Sequence, residues 1–143
     1  MIPRANSERP KVVSEKFKTP QEELDYLRAC VAEQQREIES GDDRFEHDRI
    51  AKREIVGYAD VPPATILHEA VVLPEHDILR NVLKLEPETH DKQVDGLLAL
   101  VQEKGIRNAL SVVSRMKNPH LEDDLHRALV RYVSEGLPDR GMG

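Results

Sequence analysis

The residues best able to do chemistry lie in one stretch near the C-terminus, His120-Leu121-Glu122-Asp123-Asp124-Leu125-His126. On a helix, His120 and Asp124 would share one face at i, i+4, while Glu122 and His126 would share another. A zinc or di-metal site needs three or four ligands that meet at one point, whereas these two pairs point in different directions. A metal-dependent enzyme that uses His120 and His126 is therefore an alternative that requires a ligand from another helix.

The acidic residues of this stretch also have a simpler interpretation. Glu122, Asp123 and Asp124 follow Pro119, which is a good first residue for a helix. Carboxylates in a first helical turn complement the helix dipole. The pattern therefore favours a solvated cluster over a metal site, and we expect no cofactor.

The other groups that could act in catalysis show no converging pattern. His68, His76 and His90 are each followed by an acidic residue, but no HExxH motif is present. Cys30 is the only cysteine, and packing on a helix accounts for it better than a nucleophilic role does. No GxxxxGK[ST] loop, GxGxxG turn or GxSxG elbow occurs. The sequence therefore predicts a protein that is not an enzyme.

Basic residues gather late in the chain and raise a second alternative, a nucleic-acid-binding helical domain. The residues that would form its patch are Arg107, Arg115, Arg127 and Arg131. Their positive charge would be partly neutralised by Glu122, Asp123 and Asp124, and no aromatic platform for stacked bases accompanies them. The formal net charge of −6 also gives no reason to expect broad nucleic-acid binding.

The composition favours helices over sheets. Hydrophobic residues make up 38% of the 143 residues and charged residues 34%, whereas aromatic residues make up only 3%. A core of Leu, Val, Ile and Ala without Trp suits packed helices better than a sandwich of strands. The N-terminus lacks the apolar segment of a signal peptide, and no apolar run is long enough to span a bilayer. We therefore expect a cytoplasmic, all-α protein.

The first half of the chain predicts a disordered tail over residues 1–18 and a helical arm over residues 19–60. Thr19 is a good N-cap, Pro20 suits the first helical position, and Glu22 completes a capping box. The apolar residues that follow at heptad-like spacing are Leu24, Leu27, Val31 and Ile38. These span only about two heptads, which is fewer than a coiled coil needs.

The arm has two interpretations that the sequence leaves open. Ser40-Gly41-Asp42 either ends the first helix or weakens it, and Asp42 could cap a second stretch that contains Ile50 and Ile55. In one interpretation, the apolar stripe of the arm pairs with a partner protein or with a second copy. In the other, the arm is a hairpin that packs on its own domain.

The second half predicts a small orthogonal or up-down helical bundle over residues 61–138, followed by a tail over residues 139–143. Val61-Pro62-Pro63 breaks any helix and marks the boundary, whereas residues 64–73 are ambiguous. Pro87 suits a helix entrance, Gly105 suits a C-cap, and Asn118-Pro119 suits an N-cap and first turn.

Four apolar stripes with helical spacing support the bundle. They are Ile78, Leu79, Val82 and Leu83; Val94, Leu97, Leu98 and Val101; Ile106, Ala109, Leu110 and Val113; and Leu121, Leu125, Ala128, Leu129 and Tyr132. The last three lie on consecutive helices with tight connections, which should pack against one another.

One part of the chain resembles a known class of proteins. The segment Glu103-Lys104-Gly105-Ile106-Arg107-Asn108-Ala109-Leu110-Ser111-Val112-Val113, followed by Asn118-Pro119-His120-Leu121-Glu122-Asp123-Asp124, is similar to helical regions near the start of large bacterial proteins associated with type IV secretion or conjugation ATPases. The resemblance covers about residues 74–138 and includes no catalytic signature or ATPase motif. It implies an accessory or N-terminal helical module, with any ATPase in a partner or beyond Gly143, and it assigns no active-site residue.

These observations together predict a non-enzymatic helical module for protein–protein interaction or scaffolding. The arm provides the predicted contact surface, and its partner-binding residues are Leu24, Leu27, Val31 and Ile38.

Overall fold

The structure, a computed structural model, describes residues 16–37 and 44–134. These residues form seven α-helices and no strand beyond one isolated β-bridge, so the all-α prediction is confirmed. The helices are α1 (Pro20–Glu37), α2 (Arg44–Ala59), α3 (Pro63–Ile66), α4 (Glu75–Leu85), α5 (His90–Lys104), α6 (Ile106–Met116) and α7 (Pro119–Ser134). In this part of the chain, no helix has the length and apolar character needed to cross a membrane.

Helix α1 begins where the sequence predicts. The Glu22 amide donates to Thr19 Oγ1 at 3.2 Å, as an N-cap requires. The Glu22 carboxylate accepts from the Lys18 amide at 2.6 Å, one residue earlier than in a standard capping box. Residues 38–43, which include Ile38 and the predicted break at Ser40-Gly41-Asp42, lie outside the described residues.

The arm is part of the bundle and not a separate surface. Helix α1 packs on α2, and α2 packs on α7. Leu24, Leu27 and Val31 are between 1% and 6% exposed and belong to the same core cluster as Leu125 and Leu129. The predicted contact surface is therefore corrected: these three side chains leave water by packing inside their own chain, as in the hairpin alternative.

The segment between α2 and α4 alternates short helical turns at Pro63–Ile66 and Glu69–Val71 with extended residues. The predicted break at Pro62-Pro63 is confirmed, because α2 ends at Ala59 and α3 is a single short turn. Phe17 pairs with this segment: its amide donates to the Ile66 carbonyl at 2.9 Å, and the His68 amide donates to the Phe17 carbonyl at 2.9 Å. Phe17 is only 2% exposed, so the predicted tail is wrong for residues 16–18, while residues 1–15 lie outside the description.

The last three helices form the centre of the core. Helix α5 packs on α6 and α7, and its stripe includes the buried Leu97 and Val101. Thr89 caps α5 by accepting from the Lys92 amide, so the predicted entrance at Pro87 is two residues early. Asn118 caps α7, with its Oδ1 accepting from the Leu121 amide at 3.2 Å, as predicted.

Helix α4 buries a different face from the one predicted. Val82 and Leu85 are buried and Ile78 is half-buried, whereas Leu79 and Leu83 are exposed. Leu85 enters the space that Gly96 leaves on α5, where a Cβ would lie 2.6 Å from Leu85 Cδ2. Because of this close approach, the side of α4 that carries Leu85 faces the core. The opposite side of the helix, which carries Leu83, is exposed to water.

Candidate functional site

A buried carboxyl group joins three helices at one point. Glu23, in the first turn of α1, is 1% exposed. Its Oε1 accepts a hydrogen bond from the Tyr58 hydroxyl on α2 at 2.7 Å and another from the Arg107 amide on α6 at 2.8 Å. The nearby Ile106 amide also helps to lower the pKa of the carboxyl group. We call this arrangement the Glu23 contact.

The Glu23 contact replaces a cap that the local sequence lacks. Gly105 ends α5 and begins α6, and without a side chain it offers no acceptor for the first amides of α6. Its φ of 101° is a conformation that favours glycine. A Cβ at Gly105 would also overlap Glu23 Oε2. Glycine here therefore both forms the turn and admits the carboxyl group that satisfies those amides.

Burial dominates the electrostatics of the Glu23 contact. Desolvation raises the pKa of Glu23 to about 7, and the hydrogen bonds from Arg107 and Tyr58 only partly oppose this shift. Burial, together with the neighbouring Glu23 carboxylate, raises the pKa of Tyr58. Burial also lowers the pKa of Arg107, whose Nε donates to the Val61 carbonyl at 2.7 Å. The group with a strongly shifted pKa near neutrality is thus Glu23.

A cavity of about 470 Å³ borders this region. Its wall includes Glu23 and Thr19 at the start of α1, residues 69–74, and Glu103 and Lys104 at the end of α5. The segment that borders it is held by Asn108, whose Oδ1 accepts from the Leu73 amide at 3.0 Å and whose Nδ2 donates to the Val71 carbonyl at 2.9 Å. A buried acid with a shifted pKa beside a cavity is a general sign of a functional position.

A second polar contact ties α1 to the far end of the bundle. Arg28 donates from Nε to the Val133 carbonyl at 3.0 Å and from Nη2 to the Tyr132 carbonyl at 3.2 Å. These carbonyls lie in the last turn of α7, where a cation complements the helix dipole. Helix α1 thus supplies a carboxyl group to the N-terminus of α6 and a guanidinium group to the C-terminus of α7.

The structure does not assemble the metal site of the first alternative. His120 is exposed, His126 is half-buried, and burial lowers the pKa of His126. The acidic residues between them bind elsewhere: Asp124 contacts His90 Nε2 at 2.7 Å, and Asp123 contacts Lys52 Nζ at 3.2 Å. Among residues 16–37 and 44–134, no group of three or more His, Cys, Asp or Glu side chains could hold a metal ion.

The four arginines of the second alternative differ in their exposure and in their partners. Arg107 is 7% exposed and buried against α2. Arg115 is paired with Glu75 at 2.5 Å, and Arg127 with Asp123 at 3.0 Å. Arg115, Arg127 and Arg131 are all exposed. The charges of Arg115 and Arg127 are partly offset by these carboxylates, and the buried Arg107 cannot reach a nucleic-acid backbone.

The large apolar side chains that remain in water point to a different surface. Among the described residues, Leu83 is 68% exposed, Leu79 42% and Val56 40%. Leu79 and Leu83 are adjacent at i, i+4 on α4, and we call them the α4 leucine pair. Val56 lies on α2 and has no such neighbour among the exposed apolar residues of the described chain.

Comparison with known proteins does not assign the chain to a family. No family model matches it, and no curated protein or solved structure shows significant similarity.

Proposed function

We propose that the chain is a non-enzymatic helical module that binds another protein through the α4 leucine pair. The observation that carries this proposal is the 68% exposure of Leu83 beside the 42% exposure of Leu79. Exposed leucines are common singly, whereas an adjacent pair on one helix forms a continuous apolar ridge. The proposal keeps the interaction function expected from the sequence and moves its surface from the arm to α4.

The partner we propose is an amphipathic helix of another protein. Leucines at i, i+4 form the kind of ridge that fits the groove of a second helix. The exposed charged residues Arg80 and Glu86 border the pair and would form a polar rim. Burial of two leucines contributes only about 3–6 kcal/mol, so the partner must also contact neighbouring surface.

The resemblance of residues 74–138 to regions of secretion-associated or conjugation-associated proteins suggests where such a partner could occur. Helix α4 lies at the start of that region. An accessory module of a larger ATPase assembly would need an exposed apolar surface of this kind. The resemblance therefore suggests a class of assembly in which the module could act, and it does not identify a partner.

The test compares three forms of the full chain in a pull-down from native lysate, read by mass spectrometry. They are the parent chain, the double variant Leu79→Asp/Leu83→Asp, and the control Val56→Asp, which changes an exposed apolar residue on another helix. We expect one set of proteins to be retained by the parent and the control and lost by the double variant. Circular dichroism checks that all three have the same helix content.

Two outcomes would contradict this proposal. Equal capture by the parent and the double variant would show that α4 is not the contact surface. A parent chain that runs as a dimer in size-exclusion chromatography with light scattering, and a double variant that runs as a monomer, would show that a second copy covers the leucine pair.

A further inference from the structure

The cavity beside the start of α1 has the size and the lining of a small-molecule site. Its volume of about 470 Å³ lies within the range of ~300–1,000 Å³ that is typical of ligand pockets. Phe17, Leu67 and Leu73 form the apolar part of its wall, and each is at most 8% exposed. The cavity therefore offers a ligand an apolar surface on which it can bury a hydrocarbon body.

Hydrogen bonds hold this wall in place without a ligand. Phe17 is tied to residues 66–68 through both its amide and its carbonyl. Asn108, which is 1% exposed, holds residues 71–73 through its side chain. Because these segments are fixed by the fold, a ligand would not have to order them, and its binding would cost little conformational entropy.

The charged residues of the wall leave one carboxyl group unbalanced. The exposed ones are Lys18, Lys104, Glu69 and Glu103, and their formal charges cancel. Asp77 is half-buried, and its Oδ1 contacts Arg80 Nη1 at 3.3 Å, so its charge is paired within α4. The remaining charged residue of the wall is Glu23, which is 1% exposed.

Glu23 is a buried acid whose charged form is only partly compensated by the fold. Its Oε1 accepts two hydrogen bonds, from the Tyr58 hydroxyl and the Arg107 amide, which favour the carboxylate, whereas burial opposes its charge. The Arg107 guanidinium is the cation that acts on it within the fold, but its Nε donates to the Val61 carbonyl, and Arg107 is not part of the cavity wall. A cation in the cavity would therefore supply the compensation that is missing.

We propose that the cavity binds a small organic cation, with one ammonium group beside the Glu23 carboxylate and an apolar body against Phe17 and Leu67. One positive charge is expected because one carboxyl group of the wall is unbalanced. Among the residues that the structure describes, no group of three or more His, Cys, Asp or Glu side chains could hold a metal ion, so the cation is an organic one. The α4 leucine pair is not part of this wall, so the site does not depend on the proposed protein–protein contact.

Three indole compounds that differ in charge test this proposal on the full chain. At about pH 8, tryptamine is a cation, tryptophol is neutral and indole-3-propionate is an anion. This pH lies above the pKa of Glu23 of about 7, and the chemical shifts of backbone amides are followed by NMR as each compound is added. We expect saturable shifts at wall residues such as Val72 and Glu103, with an affinity for tryptamine about tenfold higher than for tryptophol and no saturation with indole-3-propionate.

Two variants separate the charge of Glu23 from that of other carboxylates. Glu23→Gln keeps the side-chain shape and removes the charge, so its affinity for tryptamine should fall about tenfold, to that for tryptophol. Glu88→Gln is the matched control, because it removes an exposed carboxylate outside the wall, and it should keep the affinity of the parent chain. Equal affinity of the parent for tryptamine and tryptophol, or a preference for tryptamine that persists in Glu23→Gln, would overturn the proposal.

A variant that fills the cavity keeps the proposal testable if Glu23→Gln fails to fold. Ala70 is exposed and lines the cavity, so Ala70→Phe should narrow it without changing the Glu23 contact. We expect this variant to lose saturable binding of tryptamine while its circular dichroism matches that of the parent. Undiminished binding by Ala70→Phe, a parent chain that binds none of the three compounds, or shifts confined to residues outside the wall would each overturn the proposal.

Discussion

Gly105 must meet two conditions at once, because it turns the chain with φ 101° and leaves room for the Glu23 carboxyl. Gly105→Ala should strain the backbone and displace that carboxyl, which leaves the first amides of α6 without an acceptor. We expect a loss of about 3 kcal/mol in the free energy of unfolding, measured by urea titration. Gly57→Ala is the matched control, since it lies in α2 with nothing within 4 Å of a new Cβ. It should be neutral or stabilising by up to about 1 kcal/mol, and equal losses in both variants would contradict this account.

At the same scale, the sequence showed half of the Glu23 contact. Gly105 was predicted as a helix terminus, since glycine after a lysine is a common C-cap. The sequence does not indicate Glu23, because an acid in the first turn of a helix is sufficiently explained by the dipole of its own helix. Its partner amide at Arg107 lies 84 residues away. Only the packing of α1 on α6 brings the two together, and no local spacing encodes that packing.

Among the elements, α4 has one face that is buried in the core and an opposite face that is exposed to water. Leu85 is buried against α5 at Gly96, whereas Leu83 is 68% exposed. Leu85→Ala should cost about 2–5 kcal/mol because it opens a cavity in the core. Leu83→Ala should change stability by about 0.5 kcal/mol or less. Thermal unfolding of the two variants checks this, and a large loss in Leu83→Ala would show that α4 is oriented differently.

The start of α7 provides a second prediction at the level of the element. Asn118 Oδ1 accepts from the Leu121 amide, so Asn118→Ala should lose about 1 kcal/mol of stability in a urea titration. Asn118→Asp retains an acceptor at the same place and should retain most of that stability. Similar losses in both variants would show that the side-chain cap contributes little.

The positions of the helices could be predicted from the sequence better than the face that each helix buries. Thr19 and Asn118 were correctly identified as caps, since capping depends on residues three positions away. The apolar residues of α4 cover too wide an arc for the sequence to choose a buried side. That choice is made by the helices it packs on, α6 and α5. The same reason explains the arm, whose stripe at Leu24, Leu27 and Val31 fits a partner or its own domain equally well.

In the molecule as a whole, the buried Glu23 and the half-buried His126 make stability depend on pH in opposite directions. Burial raises the pKa of Glu23 from 4.5 to about 7, so its contribution is complete below about pH 4.5 and is lost as the pH rises to about 7. Burial lowers the pKa of His126 from 6.5, so its contribution is present above about pH 6.5 and is lost as the pH falls. The difference in unfolding free energy between the parent and Glu23→Gln should therefore fall by about 3 kcal/mol between about pH 4.5 and 8. Urea titrations across that range measure it, and His126→Gln should give a difference of opposite slope. A difference between parent and Glu23→Gln that stays constant with pH would show that the buried carboxyl titrates normally.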